Sequence, residues 1–284
     1  MVLQVELEPQ TVAAQRMYDP RAETYDDSWH PSYTERFCSL IPLRPGDKVL
    51  DLACGTGLDA LMAAEMVGPE GEVMGVDISP SMLAQAEAKL GLAPCRTRLF
   101  QHDIADLDSL PELAEWQGDE NGFDAIICSN AMFLFDSPSE VVQGWSKYLK
   151  KEGLLAVDVA HEKDAVALSV MSRVVARLGV DYPIVRSWLR SQHSMRNILE
   201  KAGYRMETEA EIDKVVGQRT VRLDVADAEA QFNSVTMHTR AAADFALTVK
   251  ARDLFREEWE REIHTSGPGV ELVNSMYIYV ARKK

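Results

Sequence analysis

The chain has 284 residues, 46% hydrophobic and 26% charged, a globular balance that suits one large domain or a core with a smaller cap. Its 30 Lys and Arg against 45 Asp and Glu leave a net charge of -15, a field that repels nucleic acid and anionic membrane and disfavours either as partner. No apolar run reaches the roughly 18 residues of a membrane span. The four cysteines, Cys38, Cys54, Cys95 and Cys128, have neither disulfide-framework nor zinc spacing, so a reducing compartment is expected. The N-terminus carries no charged n-region followed by an apolar run, so no signal peptide is expected either, and the expected location is cytoplasmic.

Residues 11–45 read as helical in places, with Pro20, Pro31 and Pro42 as interruptions and an aromatic-rich centre, "AETYDDSWHPSYTERF". From residue 48 the pattern turns regular. "KVLDLA" reads as a strand and "GLDALMAAEMVG" as a helix closed by Gly68. "GEVMGVDI" follows as a second strand, then a helix in which Ser79 suits the cap, Pro80 the first turn and Gly91 the end. "RTRLFQHD", "FDAIICSN" and "GLLAVDVA" supply three more strands, with a helix over about 137–149 before the last. Near-continuous apolar strands alternating with helices predict a parallel sheet covered on both faces.

After residue 160 the rhythm breaks. The pattern predicts an N-terminal helical lid over 1–45, a nucleotide-type core over 46–160 and a helical insertion over 161–192. A core helix and strand follow over 193–212, then a helical cap insertion over 213–272 and a final strand over 273–284. Within the cap, Phe245, Val249, Phe255, Trp259 and Ile263 fall near one stripe of a helix.

"VLDLACGTG", residues 49–57, runs from strand into glycine turn. Gly55, Gly57 and Ala60 reproduce a dinucleotide-type G-x-G-x-x-A spacing, and Asp77 stands where an acid grips a ribose. Taken alone this pattern favours NAD. Asp51 argues otherwise: a carboxylate at the edge of the first strand crowds the place where a diphosphate would meet the helix N-terminus. A ligand with an ammonium and a sulfonium, and no phosphate, is favoured there instead.

"VLDLACGTG", followed in order by "VMGVDIS", "FQHDIADL" and "FDAIICSNAMFLF", resembles the class I S-adenosyl-methionine-dependent methyltransferases. The likeness is to their small-molecule branch, typified by enzymes of ubiquinone and menaquinone biosynthesis. The resemblance implies a Rossmann-like α/β fold: a seven-stranded, mostly parallel sheet with an antiparallel last strand, plus helical cap insertions. It implies S-adenosyl-methionine as cofactor, no metal, and a small-molecule methyl acceptor. By the same resemblance, Asp51 and the backbone from Ala53 through Gly55 to Gly57 hold the methionine portion, with Thr56 near its carboxylate. Asp77 takes the ribose hydroxyls, while Ile78 and Met82 sandwich adenine. Asp103 accepts from the exocyclic amine, Ile104 lines the ring, and Asn130 sits beneath the sulfonium. Tyr18 and Tyr25 close over the methionine end.

Each of these residues also has a plainer reading, as a cap, a core filler or a loop acid. The catalytic residue is not identified by the sequence. His30, in "DSWHPSY", is the candidate base, with His161 and His238 as further histidines near the expected site, and Trp29 as an apolar or cation–π wall. Met132, Phe133 and Phe135 are candidate acceptor-pocket residues. The "AMFLF" run replaces the acid or histidine pair usual in quinone-precursor enzymes, which weighs against that substrate. Methyl transfer to oxygen or sulfur of a small, largely apolar metabolite is the expected activity. An NAD-dependent oxidoreductase and a catalytically silent regulatory protein are the alternatives.

Overall fold

The computed structural model describes residues 3–4, 8–181, 188–237, 245–267 and 269–284. Seven strands form one sheet: β1 (Lys48–Leu52), β2 (Glu72–Asp77), β3 (Arg96–Gln101), β4 (Phe123–Cys128), β5 (Leu149–Ala160), β6 (Tyr204–Asp213) and β7 (Ser275–Lys283). Their order is β3-β2-β1-β4-β5-β7-β6. The first five run parallel, whereas β7 is antiparallel to both β5 and β6. The expected Rossmann-like class I methyltransferase architecture is thus what the chain adopts. Strand order reverses between β1 and β4, and the crevice outside their C-terminal ends is where such sheets bind ligands.

Besides a single helical turn at Gly118–Asn121, the helices of the described residues in chain order are α1 (Gln10–Tyr18), α2 (His30–Cys38), α3 (Leu58–Val67), α4 (Pro80–Leu90), α5 (Pro138–Trp145), α6 (Val166–Leu178), α7 (His193–Lys201), α8 (Ala228–Met237) and α9 (Phe245–Ser266). Strand side chains alternate between the two faces of the sheet. Leu50, Leu52, Val157 and Val159 join the apolar cluster that Trp145 and Leu199 cover, on α5 and α7. Val49, Ala156 and Ala160 join the opposite cluster with Phe37 of α2 and Ala64 of α3. The same alternation puts Asp51 and Asp158, both only 1% exposed, on the face covered by α2 and α3.

A third apolar cluster lies apart from the sheet, where Val170 and Val174 of α6 meet Phe232 of α8 and Phe255, Trp259 and Ile263 of α9. This is the cap. It includes a short antiparallel ladder, Thr220–Leu223 with Val270–Val273, which a helical reading of 213–272 did not anticipate.

The local expectations fare differently. Pro20 and Pro31 mark breaks between helical elements, as expected: each sits in the first turn of a new one, the 3-10 helix Asp19–Asp27 and α2, where a missing N–H costs nothing. The helix expected over about 137–149 is present as α5 followed directly by a 3-10 turn, Ser146–Tyr148, with β5 starting at Leu149. Val249 is 51% exposed and leaves the cap stripe, because Ala251, Phe255 and Trp259 at four-residue spacing take the buried side of α9.

Candidate functional site

At the end of β1 the backbone enters the left-handed region at Ala53 (φ 57°), Gly55 (φ 53°) and Gly57 (φ 81°). The two glycines do different things. A Cβ on Gly55 would meet nothing nearer than the Ala53 carbonyl oxygen at 4.0 Å, so this turn presents bare backbone to open space. A Cβ on Gly57 would lie 3.0 Å from that of Ala86, so Gly57 lets α3 pack against α4. Ala53 gains nothing locally from its strained φ, the kind of cost that collects at functional turns.

Asp77 at the tip of β2 is held from both sides. Its Oδ2 accepts from the Gly55 N–H and its Oδ1 from the Ser79 N–H, each at 2.8 Å. Burial raises its pKa even so, against the backbone donors that pull it down. Asp77 faces a cleft whose lining also includes Tyr18, Ala53, Ile78, Asp103 and Ile104. Leu134 and Phe135 line it as well, from the loop after β4. The Asp103 Oδ1 accepts from the Ala105 N–H at 2.9 Å, and the Ile104 carbonyl accepts from the Trp145 indole at 2.7 Å. Both bonds fix the loop after β3. Met82 is buried outside the cleft's lining, with its backbone N–H bonded to the Ser79 hydroxyl that caps α4.

The N-terminal segment closes the cleft. Gln15 of α1 donates to the Ile78 carbonyl at 2.9 Å, and Gln10 donates to the Leu134 carbonyl. Thr56, 1% exposed, donates its hydroxyl to Asp26 at 2.6 Å, and Lys89 pairs with the other oxygen of Asp26 at 2.5 Å. Thr56 therefore points into the seam between lid and core.

Beneath the glycine turn lies a group of buried acids. Asp51 Oδ2 has no hydrogen-bond partner, and burial, then the charges of Asp59 and Asp77, hold its pKa well above the usual carboxylate range. Burial likewise raises Asp59, whose Oδ1 accepts from the Cys38 thiol at 3.7 Å. Asp158 accepts from the Tyr33 hydroxyl at 2.5 Å, the Ser129 hydroxyl at 3.1 Å and the Asn130 N–H at 2.8 Å. Its carboxyl is pushed up to about 7, chiefly by burial. Among the described residues no lysine or arginine forms an ion pair with Asp51, Asp59 or Asp158. Asn130 itself is left-handed (φ 54°), which turns the chain over Asp158. Asp158 and Tyr33 were not singled out from the sequence. The available signal was the one that marked Asp51, a lone carboxylate inside an apolar strand, here "GLLAVDVA".

The His30 ring is stacked between Tyr25 and Trp29, with centroids 3.8 and 3.9 Å away, and its Nδ1 lies 2.5 Å from the Ser28 hydroxyl. Burial lowers its pKa to about 4, so the imidazole is neutral at pH 7. Burial, then the charges of Tyr18, Asp59, Asp77 and Asp158, raise the pKa of Tyr25 well above its ordinary value. His161 is committed locally, with Nδ1 accepting the Lys163 N–H at 3.0 Å. His238 lies outside the described residues. Met132 is fully buried in the sheet cluster, whereas Phe133 lines two cavities beside the cleft.

Among the described residues no group of His, Cys, Asp or Glu is arranged to hold a metal ion, and no helix is long and apolar enough to cross a membrane. What the residues do fit is a cationic nucleoside: two carboxylates face an apolar slot, bare backbone stands at Gly55, and a buried carboxylate with one unpartnered oxygen lies at Asp51.

Sheet order, glycine turn and acid-lined cleft together define a nucleotide-type α/β protein of the transferase kind. The chain belongs to the methyltransferase-domain family, whose model matches residues 43–207, more than half of its length. A demethylmenaquinone methyltransferase of Symbiobacterium thermophilum is 37% identical over 89 residues, 28% of this chain and 34% of that protein. Nocamycin O-methyltransferase of Saccharothrix syringae is 30% identical over 147 residues, 50% of this chain and 49% of its own. The chain spans roughly half the length, or less, of the curated relatives it matches. The crystal structure of the [4+2]-cyclase SpnF superposes with a TM-score of 0.57 over 99% of each chain at 17% identity, a likeness of fold.

Proposed function

We propose that this protein is an S-adenosyl-methionine-dependent methyltransferase that methylates an oxygen or sulfur atom of a small, largely apolar metabolite. The observation that carries the reading is the edge of the sheet, where Asp77 and Asp103 face one cleft above the unpaired carboxylate of Asp51. When bound, S-adenosyl-methionine supplies a methyl group already activated by the sulfonium. The chain's own task is alignment and exclusion of water.

Asp77 keeps lone pairs beyond the two its backbone donors use, and these accept the ribose hydroxyls. Ile78, Ile104 and Phe135 take the adenine ring and Asp103 accepts from the amine, while Met82 lies buried outside the cleft's lining. The backbone from Ala53 to Gly57 with Asp51 and Asn130 takes the methionine end, with Thr56 at its margin. Tyr18 and Tyr25 cover it. Asp51, Asp59 and Asp158, whose pKa values burial raises, gain most from an arriving cation, beside which they ionise more readily, and gain nothing from a diphosphate. His30 is a neutral imidazole in the N-terminal segment, and at a pKa of about 4 it is a weak base. A thiol or an acidic hydroxyl, which needs little help in losing its proton, suits such a site. The identity with an O-methyltransferase along half the chain supports oxygen as acceptor.

The test is incubation of the purified chain with methyl-labelled S-adenosyl-methionine and fractionated metabolites, read by mass spectrometry. Label in a small apolar product, attached through oxygen or sulfur, is the expected result. Label only in nucleic acid or protein, or no transfer to any fraction, contradicts it.

A further inference from the structure

Asp158, 1% exposed on β5, uses both carboxyl oxygens to join elements far apart in the chain. Its Oδ2 accepts from the Tyr33 hydroxyl of α2 and from the Ser129 hydroxyl, while its Oδ1 accepts from the Asn130 N–H. Tyr33 is only 2% exposed, so its hydroxyl must find its acceptor inside the protein. Asn130 has a left-handed φ of 54°, and the bond from its N–H to Asp158 is one of the contacts that hold it there. Tyr33 in turn holds the start of α2. Its N–H bonds to the Trp29 carbonyl at 3.1 Å, and the two rings meet edge-on with centroids 5.5 Å apart. Trp29 stacks on His30, which stacks on Tyr25. Thr34 and Cys38 add ties to Asp59 of α3, further from Trp29 along the helix.

Trp29 and Asn130, the two ends of this chain of contacts, line one cavity of about 150 Å³. Asn130 follows β4, Ala160 ends β5 and Met276 stands near the start of the antiparallel β7, so the cavity lies at the sheet edge where α/β folds bind ligands. Losing the Tyr33 hydroxyl frees one wall of it; losing the carboxyl frees both. We propose that Asp158 is a positioning residue: its carboxyl clamps Tyr33 of the lid and the turn at Asn130 to one point, and so sets the spacing between Trp29 and Asn130 at the methionine end of the cofactor. Asp158 acts through these residues, and Tyr33 acts through Asp158. The clamp stands on the bonds themselves; what it holds in place, the methionine end, rests on the methyltransferase reading.

Hydrogen exchange of the full chain without ligand, read by mass spectrometry, tests the clamp. Tyr33→Phe should speed exchange across residues 30–38 at least fivefold. Asp158→Ala should do so there and at 129–132, with α9 of the cap within twofold in both variants. Titration with S-adenosyl-homocysteine and with adenosine, which lacks the methionine end, tests the consequence. Asp158→Ala should weaken S-adenosyl-homocysteine at least tenfold and Tyr33→Phe at least threefold, with adenosine within twofold in both. The double variant should bind S-adenosyl-homocysteine no more weakly than Asp158→Ala alone. A general loss of packing would instead weaken both nucleosides alike and speed exchange throughout the sheet. Unchanged exchange over 30–38 in Tyr33→Phe, equal losses for the two nucleosides, full S-adenosyl-homocysteine affinity in either single variant, or additive losses in the double variant would each overturn the proposal. Should Asp158→Ala fail to fold, Tyr33→Phe decides alone. If the unaltered chain binds neither nucleoside, the methyltransferase reading fails and the exchange rates decide the clamp.

Discussion

Asp158 on the sheet and Glu258 on the cap are each only 1% exposed, yet their surroundings treat them oppositely. Glu258 accepts from Arg177 at 2.9 Å, Arg261 at 2.7 Å and Arg173 at 3.2 Å. Burial raises its pKa, but these guanidinium groups outweigh burial and the net direction is down. Asp158 has only neutral donors, and its carboxyl is pushed up to about 7 by burial. A buried acid with its cations present is a strut between α6 and α9. A group of buried acids without them is a place prepared for a charge that arrives from outside.

The contrast can be broken most forcefully from the cap side. Glu258→Ala leaves three guanidinium groups crowded at one point. Removing one partner of a buried ion pair costs about 3–5 kcal/mol, and the half-exposed arginines keep the expected loss near the lower end, about 2–3 kcal/mol. Chemical denaturation followed by the fluorescence of Trp259, which packs in the same cluster, measures it. Affinity for S-adenosyl-homocysteine should stay unchanged as long as the chain remains folded. A loss of binding without loss of stability would blur the distinction between the two regions.

A smaller effect sharpens the sheet side. The folded pKa of Asp158 lies above the unfolded carboxylate value near about 3.9, so the folded state holds the extra proton between the two. Stability of the ligand-free chain should therefore fall as pH rises from about 4 to about 7. Asp51 and Asp59, raised in the same direction, add to the slope. Asp158→Asn should flatten it measurably in urea melts taken across that range. A slope left untouched by the substitution would mean that Asp158 is already ionised when buried.

The features legible in the sequence were those written locally. Five strand–helix alternations, the glycine turn and the acids Asp77 and Asp103 each depend on residues close together in the chain. The lid and the acid group depend on distant ones. Tyr33 reaches Asp158 across 125 positions, and Thr56 reaches Asp26 across 30. Such pairings have no periodic signature. The ladder between Thr220–Leu223 and Val270–Val273 was invisible for a related reason: only Leu223 of its first strand is buried, so no alternation marks it. Val249 was misplaced because a stripe drawn through the large apolar residues of α9 passed over the small Ala251, which takes its place.

One calorimetric experiment addresses the central claim, that the sheet edge is built for a cationic sulfur nucleoside. S-adenosyl-methionine, S-adenosyl-homocysteine and NAD are titrated into the unaltered chain and into Asp77→Ala. Two lost hydrogen bonds to a carboxylate, at roughly 1.5 kcal/mol or more each, amount to about 100-fold in affinity. The expected result is binding of both sulfur nucleosides by the unaltered chain, about 100-fold weaker binding by the variant, and no heat from NAD. Binding of NAD in competition with S-adenosyl-homocysteine, or equal affinities in the two proteins, would contradict the account.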